Sequence, residues 1–362
     1  MSGQTPFDRR PTTPNGHHGR CRRYAALASG GLLLLFLAGC AAQPQNSLAP
    51  ESDYSQNIQN LFALTFWAAV GVFLIVGGVL VYAAIRFRGR PGDPRPRLLQ
   101  GNRSLEIAWT AVPIVILMFI GVPTVGLIFQ SGGDAPANSL QVTAIGHQWW
   151  FEFKYPDQHV VTANEMHIPT GRAVNVALQS ADVIHSFWVP KLAGKRDMIP
   201  NHTNYIWFTP EHTGTYFGQC AEFCGISHAN MGFRVVVDSP ADFAAWLAAQ
   251  QRPAAAPSGA QLQAGATDFT SAGCAACHQI GATAPTGFPV NGLTIIGPNL
   301  THYGSRGTLA GGEMVNNAQD TSVWLADPDA VKPGNLMSTF IHKGQLPPQE
   351  VQDLTAYLES LQ

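Results

Sequence analysis

The chain of 362 residues is hydrophobic at 46% of its positions and charged at only 12%, with a formal net charge of −2. The charged share is about half of that in ordinary globular proteins, which indicates membrane segments, and the length predicts more than one domain. A nearly neutral chain gives no reason to expect a nucleic-acid partner. The six cysteines are too few for a disulfide scaffold of this size, and four lie in two close pairs, Cys220 with Cys224 and Cys274 with Cys277. Such pairs indicate cofactor chemistry.

Residues 1–39 are predicted to be a signal peptide of the lipoprotein type. Three arginines (Arg20, Arg22 and Arg23) precede the apolar run LLLLFLAGC. The run is too short to span a membrane and continue, which is typical of a cleaved signal. It ends in Leu37-Ala38-Gly39-Cys40, which resembles the lipobox of bacterial lipoproteins, and the resemblance implies that Cys40 is lipidated. An ordinary cleaved signal with an incidental cysteine is the alternative.

Residues 40–135 are predicted to form an N-terminal segment and a two-helix transmembrane hairpin. The apolar stretches at 61–85 and 107–129 each exceed the roughly 20 residues that a spanning helix needs. The loop between them carries six arginines against one acid, Asp93: Arg86, Arg88, Arg90, Arg95, Arg97 and Arg103. By the positive-inside rule this short loop is cytoplasmic, so both flanks of the hairpin face outward.

Three further regions follow the hairpin. Residues 136–240 contain short segments with period-two alternation, such as Val174, Val176 and Leu178, separated by turn residues. About 100 residues of this kind predict a β-sandwich or barrel. The stretch QQRPAAAPSGA indicates a flexible linker, placed at 241–262. Residues 263–362 have helical signals, and the last helix is expected to bury one apolar face.

The stretch CAEFCGISHANM, from Cys220 to Met231, offers two thiols, an imidazole and a thioether. A disulfide would leave His228 and Met231 without a role, and zinc disfavours a thioether ligand. Copper accepts thiolate, imidazole and a weak axial thioether together. With His185 upstream, the ligands are too many for one tetrahedral ion and suit two coppers that share both thiolates. The other weak ligand would be a backbone carbonyl or a further side chain.

The motif DVIHSFWVP together with CAEFCGISHANM resembles the copper domain of cytochrome c oxidase subunit II. The resemblance covers roughly residues 52–238 and implies a cupredoxin-like fold with a dinuclear copper A centre of two ions. It implies these copper ligands: Cys220 and Cys224 as bridges, His185 and His228 as imidazole ligands, Met231 as the axial thioether, and Glu222 through its backbone carbonyl. It also implies that the Glu222 carboxylate reaches a magnesium ion shared with catalytic subunit I.

Two further residues take their expected roles only from this resemblance. In GHQWWFEF, Trp149 matches the tryptophan at which electrons enter, whereas sheet packing is the alternative for Trp149 and Trp150. In LEIAWTAVP, Glu106 matches a carboxylate at a proton-channel entrance. An interfacial glutamate without such a role is the alternative for Glu106.

The segment Cys274-Ala275-Ala276-Cys277-His278 is the C-x-x-C-H pattern of covalent c-type haem attachment, with His278 as the proximal iron ligand. A thioredoxin-like pair is the alternative, but no βαβ pattern surrounds the motif. For the sixth iron ligand, KPGNLMSTF favours Met337 over Met314, because it resembles the distal loop of class I cytochromes c. Ser338 stands where a proline often follows that methionine. Pro298 would accept a hydrogen bond from His278, as in the related loop of that family.

Together these features resemble a subunit II with a fused C-terminal cytochrome c domain, as in caa-type haem-copper oxidases. The resemblance implies that electrons pass from a covalent haem c to the copper A centre. They then reach subunit I, which reduces oxygen to water with proton translocation. Expected partners are subunits I and III, membrane lipid, and cytochrome c or a membrane cytochrome complex as donor. The expected location is the bacterial cytoplasmic membrane, with both redox domains on the periplasmic face.

Two other classes of function are weighed against this one. A membrane-anchored copper chaperone would need exposed ligands and no haem, and the haem motif argues against it. A self-contained reductase such as nitrous oxide reductase would need its own His-rich catalytic cluster, and the sequence shows none of that sort.

Overall fold

The computed structural model describes residues 43–89, 92, 101–280 and 297–362, with the backbone alone at 289–290 and 293–294. Several predicted features lie outside the described residues. These are the signal peptide at 1–39, the lipidation site Cys40, Asp93, and the loop arginines Arg90, Arg95 and Arg97.

Two long helices open the described part of the chain. Helix α1 spans Asp53–Arg86 and helix α2 spans Arg103–Gly132, each with a mean hydropathy of 2.5 over its most apolar window. Ser52 begins α1 with a capping box, in which its side chain accepts a hydrogen bond from the Ser55 amide. The apolar side chains of both helices are exposed in the isolated chain. Because both helices are long enough to span a bilayer, these faces fit lipid or partner helices.

The next hundred residues form a sandwich of two five-stranded sheets, as predicted. The strands are β1 Leu140–His147, β2 Trp150–Tyr155, β3 Val160–Ala163, β4 Glu165–Pro169, β5 Val174–Ser180, β6 His185–Val189, β7 Ala193–Met198, β8 Asn204–Phe208, β9 Gly214–Cys220 and β10 Gly232–Asp238. One sheet has the order β3-β2-β1-β5-β8 and the other β4-β10-β9-β6-β7. Alternate residues of β5 point into the core, so Val174, Val176 and Leu178 are buried as their period-two spacing predicts.

The linker is shorter than predicted at both ends. The composition predicts a linker from residue 241, but Pro240–Gln250 forms helix α3, which Ser239 caps through the Asp242 amide. Phe243 and Trp246 lie on one helical face, pack against the sandwich core and contact the ring of Tyr155. The burial of this face holds the segment in place, so the irregular connection is confined to residues 251–259.

The C-terminal segment is helical. Its helices are α4 Ala260–Ser271, α5 Ala318–Ala326, α6 Pro328–Val331 and α7 Pro348–Glu359. Two short strand pairs accompany them: β11 Pro289–Val290 with β12 Leu293–Thr294, and β13 Thr308–Leu309 with β14 Met314–Val315. The face predicted for the last helix is buried, with Val351, Leu354 and Leu358 packed around Phe269 of α4.

Gly265 permits the close approach of α4 to α7. A β-carbon at this position would lie 2.1 Å from the backbone oxygen of Asp353 and 2.7 Å from Cβ of Tyr357. Gly265→Ala is therefore expected to lower the free energy of unfolding of this segment by about 1–3 kcal/mol, because the helices must separate. A denaturant titration followed by circular dichroism would measure it. Gln263→Ala, on the exposed side of the same helix, is the control and should change stability little.

Candidate metal centre

The ligands predicted for copper converge at one end of the second sheet. His185 begins β6 and Cys220 ends β9, and these neighbouring antiparallel strands pair Phe187 with Cys220. The Cys220 Sγ atom lies 3.9 Å from Nδ1 of His185 and 3.8 Å from Sγ of Cys224. The ligating atoms of His185, Cys220 and Cys224 all lie within 4.8 Å of one another, and all three residues are buried.

The loop after β9 brings the remaining predicted ligands to the same place. Cys224 Sγ lies 3.5 Å from Nδ1 of His228 and 3.7 Å from Sδ of Met231. A 3-10 turn, His228–Asn230, leads into Met231, which is wholly buried. The Glu222 carbonyl also faces this cluster, because its oxygen lies 3.2 Å from Cys220 Sγ. The six ligating groups predicted from the sequence therefore lie close together in the structure.

Asp182 orients His185, a role that the sequence analysis did not assign. Its Oδ1 lies 2.7 Å from Nε2 of His185, and its Oδ2 accepts a hydrogen bond of 2.7 Å from the Gln148 amide. The ring therefore has its Nδ1 directed to Cys220, while Nε2 is held by a carboxylate. Carboxylates commonly orient metal-binding imidazoles in this way. The only sequence signal is the position of Asp182, three residues before His185.

The charges of the site match a centre built for a cation. Burial lowers the pKa of His185, but the hydrogen bonds to Asp182 and Cys220 and the charges of these two residues together leave the pKa raised. The hydrogen bond from Cys224 is the largest cause that lowers the pKa of Cys220, so one thiol of the pair is readily ionised. The same interaction raises the pKa of Cys224. A bound metal would favour the ionisation of both thiols, since thiolate is the ligating form.

Asp182→Asn should loosen the site without removing a predicted ligand. The amide keeps the shape of the carboxylate but loses the charge that orients His185, so metal affinity is expected to fall about 10- to 100-fold. Competition with a chelator, followed by copper content, would measure this. Asp157→Asn, in an exposed turn of the same domain, is the matched control. Equal affinities for the two variants would contradict the role of Asp182.

Trp149 lies against the metal-binding loop. Its Nε1 donates a hydrogen bond of 3.0 Å to the Cys224 carbonyl, which also accepts one of 2.7 Å from the side chain of Gln148. Gly225 follows Cys224 with φ +119°, and a β-carbon there would lie 2.9 Å from the Trp149 ring. The indole is therefore tightly seated beside a predicted ligand. Trp150, by contrast, is buried and stacks on His147, with the ring centroids 4.2 Å apart.

The Glu222 carboxylate points to the domain surface. It accepts a hydrogen bond of 2.8 Å from Nζ of Lys195, whose amine also donates to the Ala221 carbonyl. Glu106 lies in the first turn of α2, where it is exposed in the isolated chain. In the described part of the chain, neither carboxylate belongs to a cluster of metal-ligating side chains.

The haem motif lines a cavity of about 490 Å³. Cys274 and Cys277 are free thiols, and a one-turn 3-10 helix places them at the cavity wall. The Nδ1 atom of His278 lies 2.9 Å from the Pro298 carbonyl, the partner expected from the sequence. This hydrogen bond leaves Nε2 free for a ligand.

The predicted sixth ligand lines the same cavity. Met337 lies in a 3-10 turn, Leu336–Thr339, and contributes to the cavity wall together with His278. Met314, the alternative, lies in β14 opposite Leu309 and is not among the residues that line the cavity. Ser338, which replaces the usual proline, donates its backbone N–H to Asn335 Oδ1 at 2.9 Å. A proline has no such donor, so this turn depends on the departure from the family pattern.

Comparison with known proteins covers nearly the whole chain. The family model of the cytochrome c oxidase subunit II transmembrane domain matches residues 45–127, that of the periplasmic domain matches 158–239, and that of cytochrome c matches 262–362. The cytochrome c oxidase subunit 2 of Alkalihalophilus pseudofirmus is 32% identical over 336 residues, which cover 91% of this chain and 94% of that protein. The subunit 2 of Bacillus subtilis is 31% identical over 346 residues, which cover 91% of this chain and 95% of that protein.

Among solved structures, the periplasmic domain of subunit II of cytochrome oxidase from Bradyrhizobium japonicum is 33% identical. That match covers 32% of this chain and 95% of that one, with a TM-score of 0.31.

Proposed function

Because this chain belongs to the cytochrome c oxidase subunit II family and ends in a cytochrome c domain, we propose that it is the electron-accepting subunit of a caa-type respiratory oxidase. The two matched domains imply a copper A centre and a haem c. When bound, these groups supply one-electron transfer from the haem to the copper and on to subunit I, where oxygen is reduced to water with proton translocation. The convergence of both thiols with two imidazoles and a thioether is the observation that carries the proposal.

The donor set fits two copper ions. Cys220 and Cys224 would bridge them, since their sulfur atoms lie 3.8 Å apart with an imidazole Nδ1 near each. Met231 would supply a soft thioether ligand and Glu222 a carbonyl oxygen, since each lies beside one of the two thiols. Zinc would leave the thioether unused, and a disulfide would need sulfur atoms about 2.05 Å apart.

The residues around the cavity fit a covalent haem. Cys274 and Cys277 would form the thioethers, and His278 would ligate iron through Nε2 while Nδ1 is held by Pro298. Met337 would be the sixth ligand, because it shares the cavity with His278. Histidine and methionine ligation raises the haem potential and closes the iron to other ligands, as an electron carrier requires.

The position of Trp149 supports transfer within the chain. Its indole hydrogen-bonds the carbonyl of Cys224, and the same residue lines the haem cavity. It therefore contacts a predicted copper ligand and borders the predicted haem site. We assign it as the residue through which electrons reach the copper domain.

The membrane helices and the matched domains indicate a membrane protein with periplasmic domains that works within a multisubunit oxidase. We place it in the bacterial cytoplasmic membrane beside subunits I and III, with cytochrome c or a membrane cytochrome complex as donor. In this arrangement Glu222 would bind a magnesium ion shared with subunit I. Its carboxylate would then have to give up its hydrogen bond with Lys195. Glu106 would stand at a proton-channel entrance, and Cys40 would carry lipid.

Spectroscopy on the purified full-length protein tests the proposal. A c-type haem absorbance that survives denaturing electrophoresis is expected, together with a copper EPR signal spread over two equivalent nuclei. The haem result reports on Cys274 and Cys277, and the EPR result reports on the copper ligands. A protein that contains zinc alone, or no covalent haem, would refute the assignment.

A further inference from the structure

A buried lysine of the haem segment (residues 263–362) reaches into the copper domain (residues 136–240). Lys332 is 3% exposed, and its Nζ donates hydrogen bonds to the Trp149 carbonyl at 2.6 Å and to the Ala310 carbonyl at 3.0 Å. Burial lowers its pKa to about 8, so the amine is still largely protonated at neutral pH. No carboxylate lies within 4.0 Å of Lys332 in the described part of the chain. Its hydrogen bonds thus go to backbone carbonyls, one of them in the other domain, and the charge of Glu313 raises the pKa of the amine.

A buried glutamate makes the reverse contact. Glu165 begins β4 of the copper domain and is 5% exposed. Its carboxylate accepts hydrogen bonds from the backbone amides of Gly307 and Thr308, at 3.1 and 2.8 Å, and from the Thr308 hydroxyl at 2.9 Å. All three donors belong to the haem segment. Each domain thus inserts at least one charged side chain that binds the backbone of the other.

The surface between these two anchors is closely packed. Arg234 donates a hydrogen bond of 2.8 Å to the Gly312 carbonyl, and the Ser227 hydroxyl donates to the Pro333 carbonyl. A β-carbon at Gly232 would lie 2.9 Å from the Gly311 oxygen, so the two backbones approach without side chains between them. These contacts belong to one relative placement of the domains and would all be lost by separation.

Buried charges indicate which placement the sequence specifies. A charged group that leaves water is costly unless strong hydrogen bonds replace its hydration. Each anchor obtains such bonds from the other domain: Lys332 has one, to the Trp149 carbonyl, and Glu165 has three, from Gly307 and Thr308. A shifted docking would take the Trp149 carbonyl from Lys332 and all three donors from Glu165 while both charges stay buried, so these two contacts favour one placement of the domains.

We propose that Lys332 and Glu165 are positioning residues that dock the haem segment permanently on one face of the copper domain. This face, the Trp149 face, contains Trp149, Ser227, Gly232 and Arg234. The occupant of that face is therefore the chain's own haem segment. A diffusible donor protein then reduces the cytochrome domain and does not dock at Trp149. The redox roles in this inference rest on the proposed function, whereas the docking itself does not.

Hydrogen exchange of the full-length protein in detergent, read by mass spectrometry, tests the docking. Loss of a hydrogen bond to a charged group is expected to speed amide exchange at 307–312 by about 10- to 100-fold. We expect this result in Lys332→Met and in Glu165→Gln. Lys343→Met removes a highly exposed lysine of the same segment and should leave exchange unchanged. Unchanged exchange in both anchor variants would overturn the proposal.

Two features keep the test decisive. Glu165→Gln changes the other domain and preserves side-chain shape, so it decides the question if Lys332→Met prevents folding of the haem segment. The exchange experiment does not depend on which metals are bound. A protein with the expected spectra and no exchange response would refute the docking alone, whereas a response without copper or haem signals would refute the proposed function alone.

As a second readout, the rate of copper reduction by a reduced soluble cytochrome c should fall in Lys332→Met and stay unchanged in Lys343→Met. An undocked haem segment meets the copper domain only by diffusion on its linker. Equal or faster copper reduction in Lys332→Met would mean that the donor uses the Trp149 face directly, and would overturn the inference.

Discussion

Replacing Cys224 with serine is expected to abolish the dinuclear copper signal and to lower copper affinity at least about 100-fold, since changes outside the ligand set alone cost up to that factor. The Cys224 sulfur lies 3.8 Å from that of Cys220 and 3.5 Å from Nδ1 of His228. Serine retains the size of the side chain but replaces a soft sulfur ligand with a hard oxygen. The remaining thiol can hold one copper ion but cannot bridge two.

Copper content and EPR hyperfine structure would measure this effect. Ser186→Ala is the matched control, because this buried residue adjoins His185 and its hydroxyl has no hydrogen-bond partner in the described part of the chain. The control should keep two coppers and the wild-type signal. If Cys224→Ser retained a signal from two equivalent nuclei, the bridging role of Cys224 would be wrong.

Local patterns were sufficient to predict most of the fold. The two apolar stretches lie within α1 and α2, and the alternation in β5 identifies the residues that face the sandwich core. The last helix buries the apolar face that the spacing of its hydrophobic residues predicts. In each case the determining contacts repeat along a single segment, so the hydrophobic period is visible without knowledge of the partner surface.

The linker boundary shows where composition misleads. Small residues and prolines become frequent only after Arg252, whereas Phe243 and Trp246 are spaced for one face of a helix. The length of a linker affects the local concentration of the domain that it tethers. The nine residues left between α3 and α4 therefore hold the haem domain closer than the predicted 22 would.

The groups that orient the predicted ligands could not be found in the same way. Asp182 is a lone acid in a loop until the fold brings it to Nε2 of His185 and the amide of Gln148. Lys332 and Trp149 are 183 positions apart, and neither residue carries a local signal of the contact. Sequence motifs identify ligands because metal and haem binding restricts the residue types at those positions. The residues that orient the ligands depend instead on how the fold places them.

Replacing Met337 with alanine is expected to lower the haem midpoint potential by on the order of 0.2 V, within the roughly 0.8 V that axial ligation can span. The thioether stabilises reduced iron, so its loss favours the oxidised state and lowers the fraction of haem that a given donor reduces. Redox titration of the haem absorbance would measure the shift. The turn that presents Met337 is fixed independently, because Asn335 Oδ1 accepts the Ser338 amide.

Met314→Ala is the matched control for this substitution. Met314 is a similarly half-buried methionine of the same domain, but it lies in β14 outside the haem cavity. Its removal should therefore leave the potential near the wild-type value. The reverse pattern would identify Met314 as the sixth ligand, which would require the β13–β14 hairpin to turn toward His278. That hairpin begins at Thr308, which Glu165 holds against the copper domain, so such a movement would also break the interdomain anchor.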